Sequence, residues 1–213
     1  MNLITESIEN VTYFKNAASI QTILRSSFFC SGDNFLFEPP NANECQQNLK
    51  RCIIDTVIEL NIPGRTTFKL EHLVCDVNGT LALDGELIDG VSRLLGRLKD
   101  RLSIHLVSAD TLGRLDDTAR HLGVKAIRLT SAGDEAGQKL AVIRQLGAEH
   151  VIAVGQGFND QLMLKEAAIG IAVLSREGTA VQSILQADIL APDIIAALEM
   201  LEKPIRIVAT LRK

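Results

Sequence analysis

From Thr66 to the C-terminus, short apolar runs alternate with segments of helical spacing, and this alternation restricts the fold more than any other feature of the chain. The runs at 72–75, 102–107, 124–129, 151–154 and 169–173 have the length of strands and little polar interruption. Strands apolar on both sides belong to a parallel sheet covered on both faces, where every side chain points into a protein layer. Between them Ile88, Val91, Leu94, Leu95 and Leu98 recur at three and four. So do Leu112, Leu115, Ala119 and Leu122, stopped by Gly123, and Ala136, Leu140, Ile143 and Leu146, stopped by Gly147. Repeated βαβ units give an α/β fold of three layers with a central parallel sheet. A last helix is expected from Pro192, with Pro in its first turn, through Ile194, Ile195, Leu198 and Leu201. Residues 205–211 read as a closing strand.

Residues 1–55 have a different character. Ile4, Ile8, Val11, Tyr13 and Phe14 hint at one amphipathic helix, and residues 31–43 are rich in turn formers. No chemistry is visible there. These residues are expected to form an accessory or partly disordered extension to a domain at 56–213, with a dimerisation or lid element as the alternative.

Charge excludes several roles. The net charge is −4 with both signs interspersed, and aromatic residues make up 4% of the chain. A nucleic-acid partner would call for a basic patch or a stacking platform, and neither is present. No apolar run is long enough to span a bilayer; the longest, 167–174, contains Gly170 and reads as a buried strand. The four cysteines at 30, 45, 52 and 75 form no CxxC pair, and the N-terminus lacks the pattern of a signal peptide. Reduced thiols in a cytoplasm are expected.

Four polar clusters follow the apolar runs. Asp76-Val77-Asn78-Gly79-Thr80 comes directly after the first. A carboxylate at the carboxyl end of a parallel strand sits in the crevice where open α/β sheets bind ligands. Gly79 permits a tight turn, and Thr80 can hydrogen-bond the carboxylate or a phosphate oxygen. An Asx-type turn is the plainer explanation. Residues 80–87 read as a β-hairpin with Asp84-Gly85 at its tip, a small flap beside Asp76. Ser108 precedes a helix start, where a hydroxyl and free N–H groups seat a phosphate or simply cap the helix. Lys139 lies near a helix start, against the dipole preference, which an acidic or phosphate partner would explain. Residues 154–160, VGQGFND, repeat the scheme of strand, glycine turn and helix. Asp160 falls where a dinucleotide-binding GxGxxG would need its third glycine, so that reading is poor. A carboxylate opening a helix at a strand crevice suits Mg²⁺, or merely complements the helix dipole.

The order of these clusters, and their shared place at successive strand ends, resemble the haloacid dehalogenase (HAD) superfamily of phosphotransfer enzymes over about residues 70–212. Within it the chain looks most like the small soluble proteins related to the phosphorylation domain of P-type ATPases. DVNGT is similar to the ATPase motif with its Asp, Gly and Thr, and GQGFND to the ATPase hinge motif, with Gln156 in place of its first Asp. The soluble relatives commonly show Asn at the position of Asn78 and an amide near Gln156. Residues 62–73, IPGRTTFKLEHL, are similar to their opening, so the resemblance puts the start of the family's domain near Ile58.

The resemblance implies a Rossmann-like, HAD-like fold and a soluble Mg²⁺-dependent phosphohydrolase acting on a small phosphorylated substrate or phosphoanhydride. Asp76 would form an aspartyl-phosphate and Asn78 would offer its backbone carbonyl to Mg²⁺. Thr80 and Ser108 would hold phosphate oxygens, and Lys139 would neutralise charge. Asp160 would help bind the metal, with Asn159 orienting the site and Gly79 and Gln156 supporting it. Two departures stand out. Asn78 replaces the Asp that serves such phosphatases as general acid and base, a role contributing roughly 10²–10⁴-fold. Gln156 removes one carboxylate from the metal site. These leave open a weak or inactive module that binds phosphate and Mg²⁺. A third reading, a fragment or partner of a cation-transporting ATPase that hydrolyses ATP, is disfavoured by the lack of a membrane segment or nucleotide-binding domain. One βα unit fills each of the intervals 76–108 and 108–139, so no inserted cap domain fits. The site is then open unless the hairpin, the N-terminal segment or a second subunit of a homo-oligomer covers it.

Overall fold

The computed structural model describes residues 57–109, 114–130 and 133–213; the extension at 1–55 and Leu112 lie outside the described residues. The chain enters through an antiparallel pair, β1 (Ile58–Asn61) and β2 (Thr67–Leu70), and continues into β3 (His72–Asp76). A hairpin of β4 (Ala82–Leu83) and β5 (Glu86–Leu87) leads to α1 (Val91–Leu98). Then come β6 (Ser103–Ser108), α2 (Leu115–Leu122), β7 (Lys125–Arg128), α3 (Glu135–Leu146) and β8 (Val151–Gly155). After these follow α4 (Gln161–Glu166), β9 (Ile169–Val173), α5 (Val181–Gln186), β10 (Ile189–Ala191), α6 (Ile194–Glu202) and α7 (Ile205–Leu211).

Six strands form one parallel sheet in the order β10-β9-β8-β3-β6-β7. The alternation of side chains along each strand explains the two cores. Leu73 and Cys75 of β3, Ile104 and Leu106 of β6, and Ile152 and Val154 of β8 face one layer, with α1, α2, α6 and α7. Val74, Val107, Val151 and Ala153 face the other, against Val142 and Ile143 of α3 and Met163 and Leu164 of α4. The α/β three-layer expectation holds. The chain grows outward from β3 through β6 to β7, then crosses back through α3 to β8 on the other flank of β3. That reversal opens a crevice at the carboxyl ends of β3 and β8, where ligands of such sheets bind. Among the described residues, only the hairpin stands between Asp76 and α1, in place of a cap domain. No helix of the described residues is long and apolar enough to cross a membrane.

Three expectations need correction. Residues 205–211 form a helix, not a closing strand. Ile207 and Leu211, four apart, enter the core while Ile205 is 72% exposed, a helical split that a strand would not produce. The last long helix begins at Ile194. Asp193 caps it by accepting a bond from the Ala196 N–H at 2.7 Å, and Pro192 lies ahead of the cap. Of the expected face of α3, Ala136, Leu140, Ile143 and Leu146, only Ile143 is fully buried; the other three are half-buried, and Lys139 and Val142 complete the buried side, so the helix is rotated enough to carry a lysine inward. Strand β10 and helices α4 and α5 were not anticipated, because elements of three and six residues are too short to display a period.

Candidate active site

Asp76 ends β3 at the centre of the sheet, 6% exposed. Lys139 reaches it from the first half of α3, its ammonium 2.7 Å from Asp76 Oδ1 and 2.6 Å from Asp160 Oδ1. The lysine is 1% exposed and Asp160 is wholly buried. A buried lysine requires such partners, since leaving one uncompensated would cost several kcal/mol. Asp160 uses its other oxygen as a staple for the loop after β8: Oδ2 accepts the N–H groups of Gln156 at 2.9 Å and Gly157 at 2.8 Å. Its side chain lies flat on Gly155, where an added Cβ would sit 2.6 Å from the Asp160 Cγ. Thr80, buried in the loop after Asp76, donates its hydroxyl to Asp76 Oδ2 at 3.0 Å.

The sequence clusters do converge. Ser108 ends β6, the strand paired with β3, and is 4% exposed; the Asn78 amide reaches its Oγ at 3.5 Å. Asn159 is turned outward from this set and donates to Glu135 Oε2 at 2.7 Å, tying the loop after β8 to the start of α3. Gly79 has φ +77, and a Cβ there would collide with Gln156 Nε2 and lie 2.7 Å from Glu177 Oε2. The flap is confirmed: its tip, Asp84 (φ 51) and Gly85 (φ 80), has the left-handed conformations of a two-residue hairpin turn. Sequence reasoning missed Glu177, Glu135 and Arg114. Glu177 sits in an ordinary-looking turn after β9, and its link to Gly79 spans well over half of the described domain. Only Glu135 had a local signal, as an acid in the first turn of the lysine's helix.

Three buried charges with one cation set the electrostatics. Burial raises the Asp76 carboxyl, and the Asp160 charge raises it further, to about 6; Lys139 and the Thr80 hydroxyl oppose them. Burial alone would lower the Lys139 ammonium, but Asp76 and Asp160 outweigh it and hold it above the ordinary lysine range. Burial, and then the Asp76 charge, push the neighbouring Cys75 thiol well up, so it is an inert core side chain. Beside the flap lies an open groove of about 870 Å³ running from Gly79 and Thr80 past Leu83 and Arg176 to Pro192 and Asp193. The crevice on the flap's other side, lined by Asn78, Ser108 and Arg114, measures about 20 Å³.

The donor set bears on a metal. Among the described residues no three His, Cys, Asp or Glu side chains gather as ligands. Both Asp160 oxygens are engaged by Lys139 and backbone N–H groups. Asp76 and the Asn78 carbonyl would suit a hard cation that keeps most of its waters and takes few protein oxygens, while Asp160, expected as a further ligand, would have to share oxygens already bonded.

No protein-family model matches the chain. An uncharacterized protein of Methanocaldococcus jannaschii is 40% identical over 84 residues, which are 38% of this chain and 90% of that protein. A second uncharacterized protein of the same organism is 46% identical over 39 residues, 18% of this chain and 89% of that protein. Among solved structures, 3-deoxy-D-manno-octulosonate 8-phosphate phosphatase from Moraxella catarrhalis, in complex with magnesium, phosphate and its sugar acid, matches with a TM-score of 0.51. It is 18% identical, over 81% of this chain and 100% of that one. The Yersinia pestis phosphatase of the same name matches at 0.50, 16% identical, over 67% of this chain and 84% of its own. A phosphoserine phosphatase in apo form matches at 0.50, 15% identical, over 63% and 98%.

Proposed function

Since this chain belongs to one family with the first of those archaeal proteins and has the fold of the haloacid dehalogenase superfamily, we propose that it is a phosphohydrolase working through Asp76. The observation that carries the reading is the buried Lys139 ammonium held between Asp76 at 2.7 Å and Asp160 at 2.6 Å at the sheet's switch point. A carboxylate so placed is almost wholly withdrawn from solvent, and its charge is set by a fixed cation. Phosphoryl transfer asks for this kind of positioning and charge stabilisation.

In the reaction, the Asp76 carboxylate attacks phosphorus and the bond to the leaving group breaks. The electron pair goes with the leaving oxygen, which takes its proton from solvent, because the Asn78 amide is not an acid. Water then attacks the phosphorus of the aspartyl-phosphate and loses a proton to solvent, the phosphorus–oxygen bond to Asp76 breaks with its electron pair returning to the carboxylate, and phosphate leaves. Lys139 offsets the charge gathered on Asp76 and the phosphoryl oxygens, while Thr80 and Ser108 offer hydroxyls to them. Mg²⁺, when held by Asp76, the Asn78 carbonyl and Asp160 with Gln156 in support, would supply further neutralisation of phosphate charge. Without a general acid, substrates with good leaving groups, acyl phosphates and anhydrides, suffer least. The likeness of DVNGT and GQGFND to the motifs of the soluble relatives of P-type ATPases supports that subgroup. A small phosphorylated compound as substrate is supported by the names of the structural neighbours, which are phosphatases of such compounds.

A second reading, a regulatory module that binds phosphate and Mg²⁺ without turnover, is favoured by Asn78, by Gln156 and by the engagement of both Asp160 oxygens. One experiment decides between them: Mg²⁺-dependent hydrolysis of acetyl phosphate by the wild type and by Asp76→Asn. Loss of activity in the variant supports the enzyme. Equal rates end that reading, and a thermal shift with beryllofluoride and Mg²⁺ in a chain without turnover supports the module.

A further inference from the structure

The flap is held from both sides by charged side chains that the reaction does not use. On the side of the wide groove, Glu177 Oε1 accepts the backbone N–H of Asp84, the first residue of the flap turn, at 3.3 Å. On the other side, the Arg114 guanidinium donates to the carbonyl of Gly85, the second turn residue, at 3.2 Å. The two side chains come from loops on opposite flanks of β3, one after β9 and the other before α2. They meet at adjacent residues of the hairpin.

Glu177 is itself braced. Ser175 Oγ accepts the Glu177 N–H at 3.2 Å, the Gly178 N–H reaches the Ser175 carbonyl at 3.0 Å, and Thr179 Oγ1 bonds the Ser175 N–H and the Val173 carbonyl. The other oxygen of Glu177 presses on Gly79 in the Asp76 loop, against the space a side chain would need. One carboxylate therefore touches both the tip and the root of the segment that lies over Asp76. A carboxylate is the wrong sign to receive a phosphate, so its place is explained by the flap and not by the substrate.

We propose that Glu177 and Arg114 are positioning residues that clasp the β4–β5 flap closed beside Asp76. Substrate is admitted when the clasp on the groove side opens. The inference deepens the phosphohydrolase reading and rests on it for its consequence in turnover, but the clasp itself is a statement about the flap and is testable without catalysis.

The test is hydrogen exchange of the hairpin amides at 80–88 in the full chain, metal-free and substrate-free, for wild type, Glu177→Ala, Glu177→Gln and Arg114→Ala. Loss of one exposed charge-assisted bond should speed exchange of these amides about three- to tenfold in each alanine variant. Glu177→Gln, whose amide oxygen still accepts from Asp84, should remain near wild type. Unchanged exchange in both alanine variants overturns the clasp. Faster exchange spread equally through β3 and β8 overturns it too, because it would mean general loosening of the domain. With acetyl phosphate, the alanine variants should lower kcat severalfold with KM within about twofold. If the wild type hydrolyses nothing, the phosphohydrolase reading fails while the exchange result still decides the clasp.

Discussion

Replacing the Asp76 carboxylate with an amide should make the protein more stable, although it removes the proposed nucleophile. Asp76, Lys139 and Asp160 bury two negative charges against one positive charge, each carboxylate within 2.7 Å of the lysine ammonium. Burial and then the Asp160 charge raise the Asp76 carboxyl from 3.8 to about 6. A raised carboxyl contributes its full stability below the unfolded value, where both states are protonated. It loses that stability as pH climbs through the folded value, because only the folded state resists ionisation. A rise of about two pKa units at 1.36 kcal/mol each amounts to roughly 3 kcal/mol lost above pH 6. Asn stands in for the protonated acid and is spared that loss. Asp76→Asn should then gain about 3 kcal/mol at pH 8, a rise in Tm of about 6–12 °C for a domain of this size, and gain little at pH 4. The assay is thermal unfolding in EDTA at the two pH values. A variant that melts at or below wild type at pH 8, or whose advantage does not shrink in acid, refutes the electrostatic account of the site.

Lys139→Met leaves both carboxylates buried without a cation and should cost about 3–5 kcal/mol in urea unfolding at pH 8. Adding Asp76→Asn to it should recover more than the about 3 kcal/mol that this substitution gains alone, because the unpaired Asp160 charge no longer faces a second carboxylate, and simple additivity would argue against a coupled trio. Gly79→Ala puts a Cβ at φ +77 into the Gln156 amide and beside Glu177; the expected loss is about 1–2 kcal/mol, read as a lower Tm, and an unchanged Tm would show that both side chains swing away freely. Remote from the site, His105 is 3% exposed, and burial, Lys125 and His72 lower its pKa from 6.5 to about 4. Its neutral form is the one that folds, so stability should fall as pH drops from 6.5 toward 4, by up to about 3 kcal/mol. His105→Leu should flatten that acid limb, and an unaltered pH profile would exclude His105 as its cause.

The architecture was legible because it is written in period. Residues 72–75 and 151–154 carry no polar interruption, and both proved to lie side by side at the sheet centre. The site clusters were legible because each had to follow such a run. Less legible was which side of a helix would turn inward. On pattern alone Leu140 outranks Lys139, and only the two carboxylates brought from β3 and the loop after β8 reverse the order. Pairings between distant loops, such as Glu177 with Gly79 and Asp84, leave no trace in local spacing. The misread end, 205–211, shows the same limit. Its apolar residues are too few over seven positions to separate the two periods by pattern, and only the burial of Ile207 and Leu211 with Ile205 left exposed shows the helix.

The staple made by Asp160 has a consequence for reading descendants of such a chain. Its bonds to Lys139 and to the amides of residues 156 and 157 secure α3 against the loop after β8, whether or not position 76 carries a charge. A lineage under pressure only to stay folded would keep the lysine and Asp160 and let Asp76 drift to asparagine, a step that folding rewards. In copies of unknown status, an intact Lys–Asp pair is thus a mark of architecture. The retained acid at 76, kept against the pull of stability, is the mark of selection for turnover.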